Sequence, residues 1–172
     1  LMADILKTNV TARHIVGSTA PELQFTHYFN SKPFKFENLK GKVIVIEFFT
    51  NWCGGCMAAW PKMIQLKKDY EDKGIVLLGV TAFQGLMVGH GDKPQSGISK
   101  EEELKLMPKF IENQKITWPV VFSTRKAADS EYGVDGIPTI VVIDRKGIVR
   151  VLESAHNQKK IREVLDQVIA EE

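Results

Sequence analysis

The only two cysteines of this 172-residue chain lie three positions apart, in the stretch TNWCGGCM that spans residues 50–57. Sulfur atoms at this spacing could form a redox-active dithiol, one half of a metal site, or a structural cross-link. A cross-link between Cys53 and Cys56 closes too small a loop to restrict the unfolded chain by much. The structural role is therefore the weakest of the three, and the surrounding residues must decide between the other two.

The pair lies where a predicted strand passes into a predicted helix. Residues 42–49, KVIVIEFF, form an apolar, β-branched run typical of a strand buried on both faces, and residues 57–73 have helical spacing that Gly74 ends. Cysteines three apart on a first helical turn share one face, close enough for a disulfide. Cys53, nearer the helix N-terminus, faces backbone N–H groups that favour its thiolate, whereas Cys56 should be more buried. That asymmetry suits an exchange in which one thiol attacks and the other resolves.

Metal binding and peroxide reduction are the alternatives. A closed zinc site needs two further ligands. The chain has no second cysteine pair, and we interpret its four scattered histidines as surface or capping residues: His14, His27, His90 and His156. We therefore expect no metal. Thr50 and Cys53 match part of the peroxiredoxin pattern, but Ile46 stands where that family has a proline, and a peroxidase gains nothing from Cys56 in the same turn.

The wider pattern predicts one α/β domain, residues 21–172, after a partly mobile N-terminal extension, residues 1–20. Apolar alternation on both sides of the turn-rich NSKP predicts a β-hairpin within residues 21–42. The strand and helix that flank the cysteines, followed by a second buried strand at residues 75–81, form a right-handed parallel crossover.

The downstream half predicts a mixed sheet with helices on both faces. Residues 83–100 are loop-like and form an insertion after the second core strand. Ser99 and Glu102 have the spacing of a capping box that opens a helix ending near Asn113, and Pro108 must kink that helix or begin a second one. Further strands are predicted at residues 120–122, 139–144 and 148–153, with a closing helix on the stripe Ile161, Val164, Leu165, Val168 and Ile169. The cysteines then lie past the carboxyl end of a central strand, where α/β proteins usually place function.

Composition narrows the classes of partner. The formal net charge is +2, and lysines alternate with acids, as in KKDYEDK, so we expect neither a nucleic acid nor an anionic membrane surface as partner. No apolar run approaches the ~20 residues that a membrane helix needs. The first twenty residues lack the order of a signal peptide. We therefore expect no membrane span and no signal in this chain.

Several stretches resemble the thioredoxin-like superfamily: VIEFFTNWCGGC, the helix proline Pro61 five residues after Cys56, and YGVDGIPTIVVIDRKGIV. The stretches APELQF, ENLKGKVIVIEFF and FIENQKITWPVVF are similar to its TlpA- and ResA-like thiol–disulfide oxidoreductases. This resemblance implies a thioredoxin fold and a thiol–disulfide oxidoreductase. It also implies Cys53 as nucleophile, Cys56 as resolving thiol, and a cis peptide bond between Ile137 and Pro138 that faces the disulfide.

The same resemblance implies the molecular setting. No organic cofactor is needed, and the partners would be protein thiols and disulfides, including a membrane electron donor or a cytochrome-maturation partner. A monomer outside the cytoplasmic membrane is expected. The cis proline would leave the Ile137 backbone open for strand-like pairing with a substrate chain. A redox-inert binding module on the same fold is the rival interpretation, and the intact cysteines beside Gly-Ile-Pro-Thr argue against it.

Glu47 interrupts the apolar strand, where burying an ionisable group is costly. One interpretation points it to a sheet edge, where it meets solvent or a lysine. In the other, it lies six residues before Cys53, where the thioredoxins that this chain resembles carry a buried acid behind the disulfide. Desolvation would then raise its pKa and let it relay a proton to or from Cys56. The lysine that often partners that acid falls near Gly79, so this partner is predicted to be missing.

Trp52, Gly54 and Gly55 complete the predicted site. A large, flat residue beside a reactive thiol favours a docking surface over simple packing. Gly54-Gly55 stands where many thioredoxins have Gly-Pro. Two glycines leave backbone N–H groups free to bond a thiolate, and a stabilised thiolate makes the couple more oxidising.

Overall fold

A computed structural model describes residues 15–88 and 93–171 of the chain. The strands are β1 (His27–Phe29), β2 (Val43–Phe48), β3 (Ile75–Thr81), β4 (Leu86–Met87), β5 (Gln95–Ser96), β6 (Val120–Phe122), β7 (Thr139–Ile143) and β8 (Val149–Ser154). The α-helices are α1 (Gly54–Tyr70), α2 (Lys100–Asn113) and α3 (Gln158–Ala170). Shorter helical turns lie at Phe36–Leu39, Glu71–Lys73 and Ala127–Glu131.

Six of these strands form one mixed sheet in the order β1-β6-β3-β2-β7-β8. β2 and β3 are parallel and joined through α1, which confirms the predicted crossover, and β6 extends the parallel set. β1, β7 and β8 each run antiparallel to a neighbour. All six residues of β2 are buried, as expected for a central strand covered on both faces.

The two faces of the sheet are covered differently. Apolar residues of all three α-helices pack in one core that contains the cysteines. The opposite core is closed by the N-terminal segment and by the turns Phe36–Leu39 and Ala127–Glu131. The predicted mixed sheet with helical elements on both faces is therefore confirmed, and the long helices all lie on the cysteine side.

The predicted helix boundaries are close to the observed ones. α1 begins at Gly54 rather than residue 57, because Cys53 already caps it. A short turn continues it to Gly74, whose φ of 77° is left-handed and ends the helix as predicted. Ser99 and Glu102 form the predicted capping box of α2, and Pro108 lies inside that single helix.

The predicted β-hairpin of residues 21–42 is wrong. Its first arm forms β1, but this strand pairs antiparallel with β6. The second arm contains a 3-10 helix instead, which buries Phe36 and Leu39, three residues apart on one side of the turn. Phe34 packs edge-on to Phe25 at 5.4 Å between ring centroids. The aromatic residues that suggested alternating strands thus form a cluster, and β1 finds its partner elsewhere.

Two peripheral segments pack against this frame. In the predicted insertion, β4 and β5 pair antiparallel, and residues 89–92, including His90, lie outside the described residues. Of the predicted extension, residues 1–14 lie outside them as well. The Gly17 N–H donates to the Val149 carbonyl at 2.7 Å, so this part of the segment is attached to β8. The domain division after residue 20 stays a prediction.

Within the described ranges, no helix is long and apolar enough to cross a membrane.

Candidate active site

The cysteine pair lies at the carboxyl end of β2 and opens α1. Cys53 is the N-cap residue and Cys56 lies in the first turn. The two are joined as a disulfide with their Cα atoms 5.2 Å apart. The Cys56 backbone N–H donates to Cys53 Sγ at 3.0 Å, so the sulfur occupies the position of a capping oxygen. A thiolate at this position would accept the same bond.

The two sulfurs differ in their access to solvent. Cys53 is 6% exposed, whereas Cys56 is completely buried beneath the first turn. The predicted difference in burial is therefore present. Trp52, the residue before Cys53, is 48% exposed and is one of the few large apolar side chains on the described surface.

The peptide bond between Ile137 and Pro138 is cis, as predicted. Pro138 lies over the cysteine motif, since a Cβ placed on Gly55 would stand 3.4 Å from Pro138 Cδ and 4.0 Å from Cys53 Sγ. His156 Nε2 is 3.7 Å from the same point. From the sequence, His156 is interpreted as a surface or capping residue, and it is exposed. His156 lies in the loop that follows the carboxyl end of β8. The sheet order brings this end to the same edge as the carboxyl end of β2, so the loop position could have indicated that His156 lies near the cysteines.

Glu47 is fully buried on the cysteine side of the sheet. Its neighbours at alternate positions, Val45 and Phe49, belong to the core that holds Cys56, and side chains of a strand alternate between faces. Burial raises the pKa of Glu47 to about 8, and the Trp60 indole lowers it only in part. Among the described residues, neither carboxylate oxygen has a hydrogen-bond partner of good geometry. The interpretation that Glu47 meets solvent or a lysine at an edge is therefore wrong.

The position opposite Glu47 has no side chain. Gly79 is its Cα partner in the parallel register of β2 and β3, as the sequence register predicted. A Cβ on Gly79 would lie 3.2 Å from Phe49 Cε1 and 3.3 Å from Trp118 Nε1. The indole N–H groups of Trp60 and Trp118 are buried without hydrogen-bond partners within the described part of the chain. The Trp60 indole thus acts on the Glu47 carboxyl group, and the Trp118 indole lies beside the Gly79 position, which offers no cation.

A cavity of about 280 Å³ opens beside the motif. Phe49 and Trp52 line it on the β2 side, Gln84 and Arg125 line it from later loops, and Ile137 lies on its far wall. The Trp52 indole N–H donates to Gln84 Oε1 at 2.9 Å, which ties the exposed ring to the inserted segment. Sequence reasoning did not single out Gln84, because no local pattern marks a residue that contacts Trp52 across the fold.

The predicted site residues thus lie at, or close to, the carboxyl end of the central strand β2: Glu47, Trp52, Cys53, Gly54, Gly55, Cys56, Ile137 and Pro138. Within residues 15–88 and 93–171, no group of three or more histidine, cysteine or acidic side chains could hold a metal ion. The described part of the chain therefore does not supply the further ligands that a closed zinc site would need.

Comparisons with known proteins agree with this geometry. The Redoxin family profile matches residues 15–169. The thioredoxin-like protein YneN of Bacillus subtilis is 25% identical over 145 residues, which cover 84% of this chain and 74% of that protein. The thiol–disulfide oxidoreductase ResA of Geobacillus thermodenitrificans is 25% identical over 154 residues, covering 89% and 78%. The thioredoxin domain of a thiol–disulfide oxidoreductase from Bacteroides vulgatus superposes with a TM-score of 0.67 at 21% identity, covering 89% and 97%.

The sheet order, the dithiol motif at a helix N-terminus and the facing cis proline define a thioredoxin-like protein. The chain belongs to the Redoxin family. The resemblance to ResA-like thiol–disulfide oxidoreductases noted in its sequence is confirmed.

Proposed function

We propose that the protein exchanges disulfides with protein substrates through Cys53 and Cys56. The observation that carries this proposal is the unequal pair: a disulfide whose capping residue, Cys53, keeps a small exposed fraction, while its second residue, Cys56, has none. Of the two cysteines, only Cys53 keeps any exposure through which an incoming thiolate or disulfide could reach it. Cys53 therefore attacks and Cys56 resolves.

In the reducing direction, the Cys53 thiolate attacks one sulfur of a substrate disulfide, and the other substrate sulfur leaves as a thiolate. Cys56 then loses its proton and attacks Cys53 Sγ. The Cys53–Cys56 disulfide forms as the second substrate thiolate leaves, and two electrons have passed from the dithiol to the substrate. The reverse sequence oxidises a substrate dithiol.

Glu47 is proposed to carry the proton of Cys56. Trp60, whose indole lowers the pKa of Glu47, lies one helical turn beyond Cys56 in α1, and this shared neighbour supports a position of Glu47 behind the buried thiol. A pKa of about 8 lets the group both accept and return a proton near neutral pH.

The exposed side of the motif is proposed to bind the substrate chain. Trp52 offers an exposed ring, Gly54 and Gly55 leave the first turn uncovered, and Ile137 precedes Pro138, whose ring faces Gly55. A protein chain in extended conformation suits such a surface, because backbone pairing and side-chain pockets can act together.

The proposed partners are protein thiols or disulfides, and a membrane electron donor or a cytochrome-maturation protein fits the resemblance to ResA-like proteins. An extracytoplasmic location and a monomeric state are proposed on the same ground. The dithiol itself supplies both electrons, so this chemistry needs no organic cofactor.

A redox titration tests the proposal. The couple is equilibrated with thiol–disulfide buffers and followed by alkylation and by Trp52 fluorescence. A potential near about −270 mV or lower makes the protein a reductant, and about −120 to −180 mV makes it an oxidant or isomerase. Cys53→Ser should abolish exchange, whereas Cys56→Ser should accumulate a mixed disulfide. A chain without a reversible two-electron couple would instead be a redox-inert binding module.

The proton-relay role has its own test. Glu47→Gln should slow the step at Cys56 between pH about 6 and 9 without unfolding the protein, because an amide cannot carry the proton. The rate of mixed-disulfide resolution is the measurement, and the alkylation rate of Cys53 is the control. Unchanged resolution kinetics across this range would discard the role.

We infer that Gly54-Gly55 raises the reduction potential. The free N–H groups of the first turn can bond a Cys53 thiolate, as the Cys56 N–H is placed to do. Gly55→Pro removes one of these donors, and a side chain there meets Pro138 only at ordinary contact distance. The variant should have a lower potential, and an equal or higher value would refute the inference.

A further inference from the structure

A second buried acid, Glu103, lies in the first turn of α2, outside the machinery described above. Its side chain is fully buried, and both of its oxygens accept hydrogen bonds. The donors are the Gln84 N–H at 3.0 and 3.1 Å, the Gly85 N–H at 2.9 Å and Asn51 Nδ2 at 3.3 Å. Two successive backbone N–H groups directed at one carboxylate form an anion-binding nest within the chain.

The conformation of the loop depends on this carboxylate. Gly85 has a φ of +70°, the left-handed value that turns its N–H toward the same acceptor as that of Gln84. Asn51 Nδ2 also donates to the Leu86 carbonyl at 2.8 Å. The first part of the insertion is therefore attached both to Glu103 and to the residue two positions before Cys53.

Gln84 extends this connection to the surface. Its Nε2 donates to the Ala82 carbonyl at 2.8 Å, while its Oε1 accepts from the Trp52 indole at 2.9 Å. The amide is thus held at both ends. Trp52 and Gln84 both line the cavity that Thr50 and Ile137, neighbours of the cysteine motif and of Pro138, also line. Glu103 lies behind them, so it acts on this wall of the cavity without contacting a substrate.

We propose that Glu103 is a positioning residue that fixes Gln84, and through it Trp52, as the wall that admits protein substrates to the disulfide. This inference rests on the proposed function and names the selective element within it. A protein substrate contacts the wall as well as Cys53, whereas a small disulfide contacts only the sulfur. Loss of Glu103 should therefore reduce exchange with peptides and spare exchange with small disulfides.

Glu103→Gln is the direct test, with Glu101→Gln as control. Both changes replace a carboxylate by an amide in the first turn of α2, but Glu101 is exposed. In Glu103→Gln, the new NH2 group faces N–H donors. Exchange is measured with a short peptide that carries one disulfide and with hydroxyethyl disulfide. We expect KM for the peptide to rise about tenfold, with the reduction potential and the hydroxyethyl disulfide rate unchanged.

Fluorescence reports the position of Trp52 independently. Trp60 and Trp118 are each 1% exposed, so acrylamide quenching reads mainly Trp52. Quenching should rise in Glu103→Gln and in Gln84→Ala, which removes the indole's acceptor but keeps the carboxylate and its backbone donors. Gln84→Ala should also raise the peptide KM, and Glu101→Gln should change neither value.

Other results would overturn the proposal. Equal losses with both disulfides, or a shifted potential, would mean that Glu103 acts on the cysteines or on the whole fold. A peptide KM that stays at the wild-type value in an active Glu103→Gln protein would also exclude the role. If the wild-type chain exchanged no disulfide at all, the proposed function would fail first, and unchanged Trp52 quenching in both variants would then show separately that Glu103 does not hold the wall.

Discussion

Two glutamates are fully buried near the disulfide, and their surroundings are opposite. Glu47 is the last residue but one of β2 and lies in the apolar core beside the Trp60 indole, with no hydrogen bond of good geometry from the described residues. Glu103 accepts hydrogen bonds from three different residues, two of them through backbone N–H groups. The two glutamates are therefore equally buried but differ in their hydrogen-bond partners.

This comparison indicates that the hydrogen-bond donors around a buried acid, rather than the extent of its burial, decide what the acid can do. Without donors, Glu47 is held in its neutral form over much of the physiological range, and its pKa of about 8 suits proton transfer. With both oxygens engaged, Glu103 instead stabilises the conformation of a loop. The same type of side chain is thus proposed to transfer a proton at Glu47 and to hold a loop at Glu103.

The largest expected effect is a pH dependence of stability that belongs to Glu47. Because its pKa rises from 4.5 to about 8 on folding, the folded state keeps a proton that the unfolded state releases. The contribution of Glu47 to the free energy of unfolding should be highest below pH 4.5 and should fall by about 1.4 kcal/mol per pH unit until about pH 8, in total about 5 kcal/mol.

Urea unfolding of the oxidised protein at several pH values measures this slope. Glu47→Gln is the reference, since its amide does not titrate, and the difference between the two proteins isolates Glu47. A difference that stays constant from about pH 5 to 8 would mean that Glu47 is not desolvated as its burial indicates.

Leucine substitutions should change stability with opposite signs. Glu47→Leu removes a carboxyl group that lacks donors and should stabilise the protein by about 3 kcal/mol at pH 7. Glu103→Leu leaves the Gln84 and Gly85 N–H groups without their acceptor and should destabilise it by about 3 kcal/mol. Chemical denaturation at pH 7 gives both values. As the control, Glu101→Leu at an exposed position should change stability by less than about 0.5 kcal/mol. If Glu47→Leu and Glu103→Leu changed the free energy of unfolding in the same direction, the comparison would be contradicted.

The smallest effects are expected at the glycine beside each acid. Gly79→Ala brings a Cβ to 3.2–3.3 Å from Phe49, Trp118 and Val120, and this overpacking should cost about 1–3 kcal/mol. Gly85→Ala has space but a φ of +70°, which should cost about 1 kcal/mol.

Asparagine substitutions distinguish overpacking at Gly79 from the left-handed φ at Gly85. Asparagine is larger than alanine but tolerates the left-handed region better. Gly85→Asn should therefore be more stable than Gly85→Ala, whereas Gly79→Asn should be less stable than Gly79→Ala. Midpoints of thermal or urea unfolding are sufficient. The reverse order at either position would contradict the explanation given for it.

Local patterns in the sequence predicted most of the frame. The apolar run of β2, the Ser99–Glu102 capping box and the left-handed Gly74 depend on interactions within a few residues, and each was found where expected. The register of Glu47 with Gly79 followed from two buried strands joined by one helix. The hairpin failed, because alternation shows that a segment can be a strand but does not identify its partner.

The sequence by itself determined which groups are proposed to carry the chemistry: two cysteines at a helix N-terminus, an acid in a buried strand, and a proline that the resemblance to thioredoxins implies opposite them. Only the tertiary structure decided which groups surround them. Glu103 receives hydrogen bonds from residues 18, 19 and 52 positions away, and His156 reaches Gly55 across the fold. Such contacts arise when distant segments are packed together, so no local period or spacing encodes them.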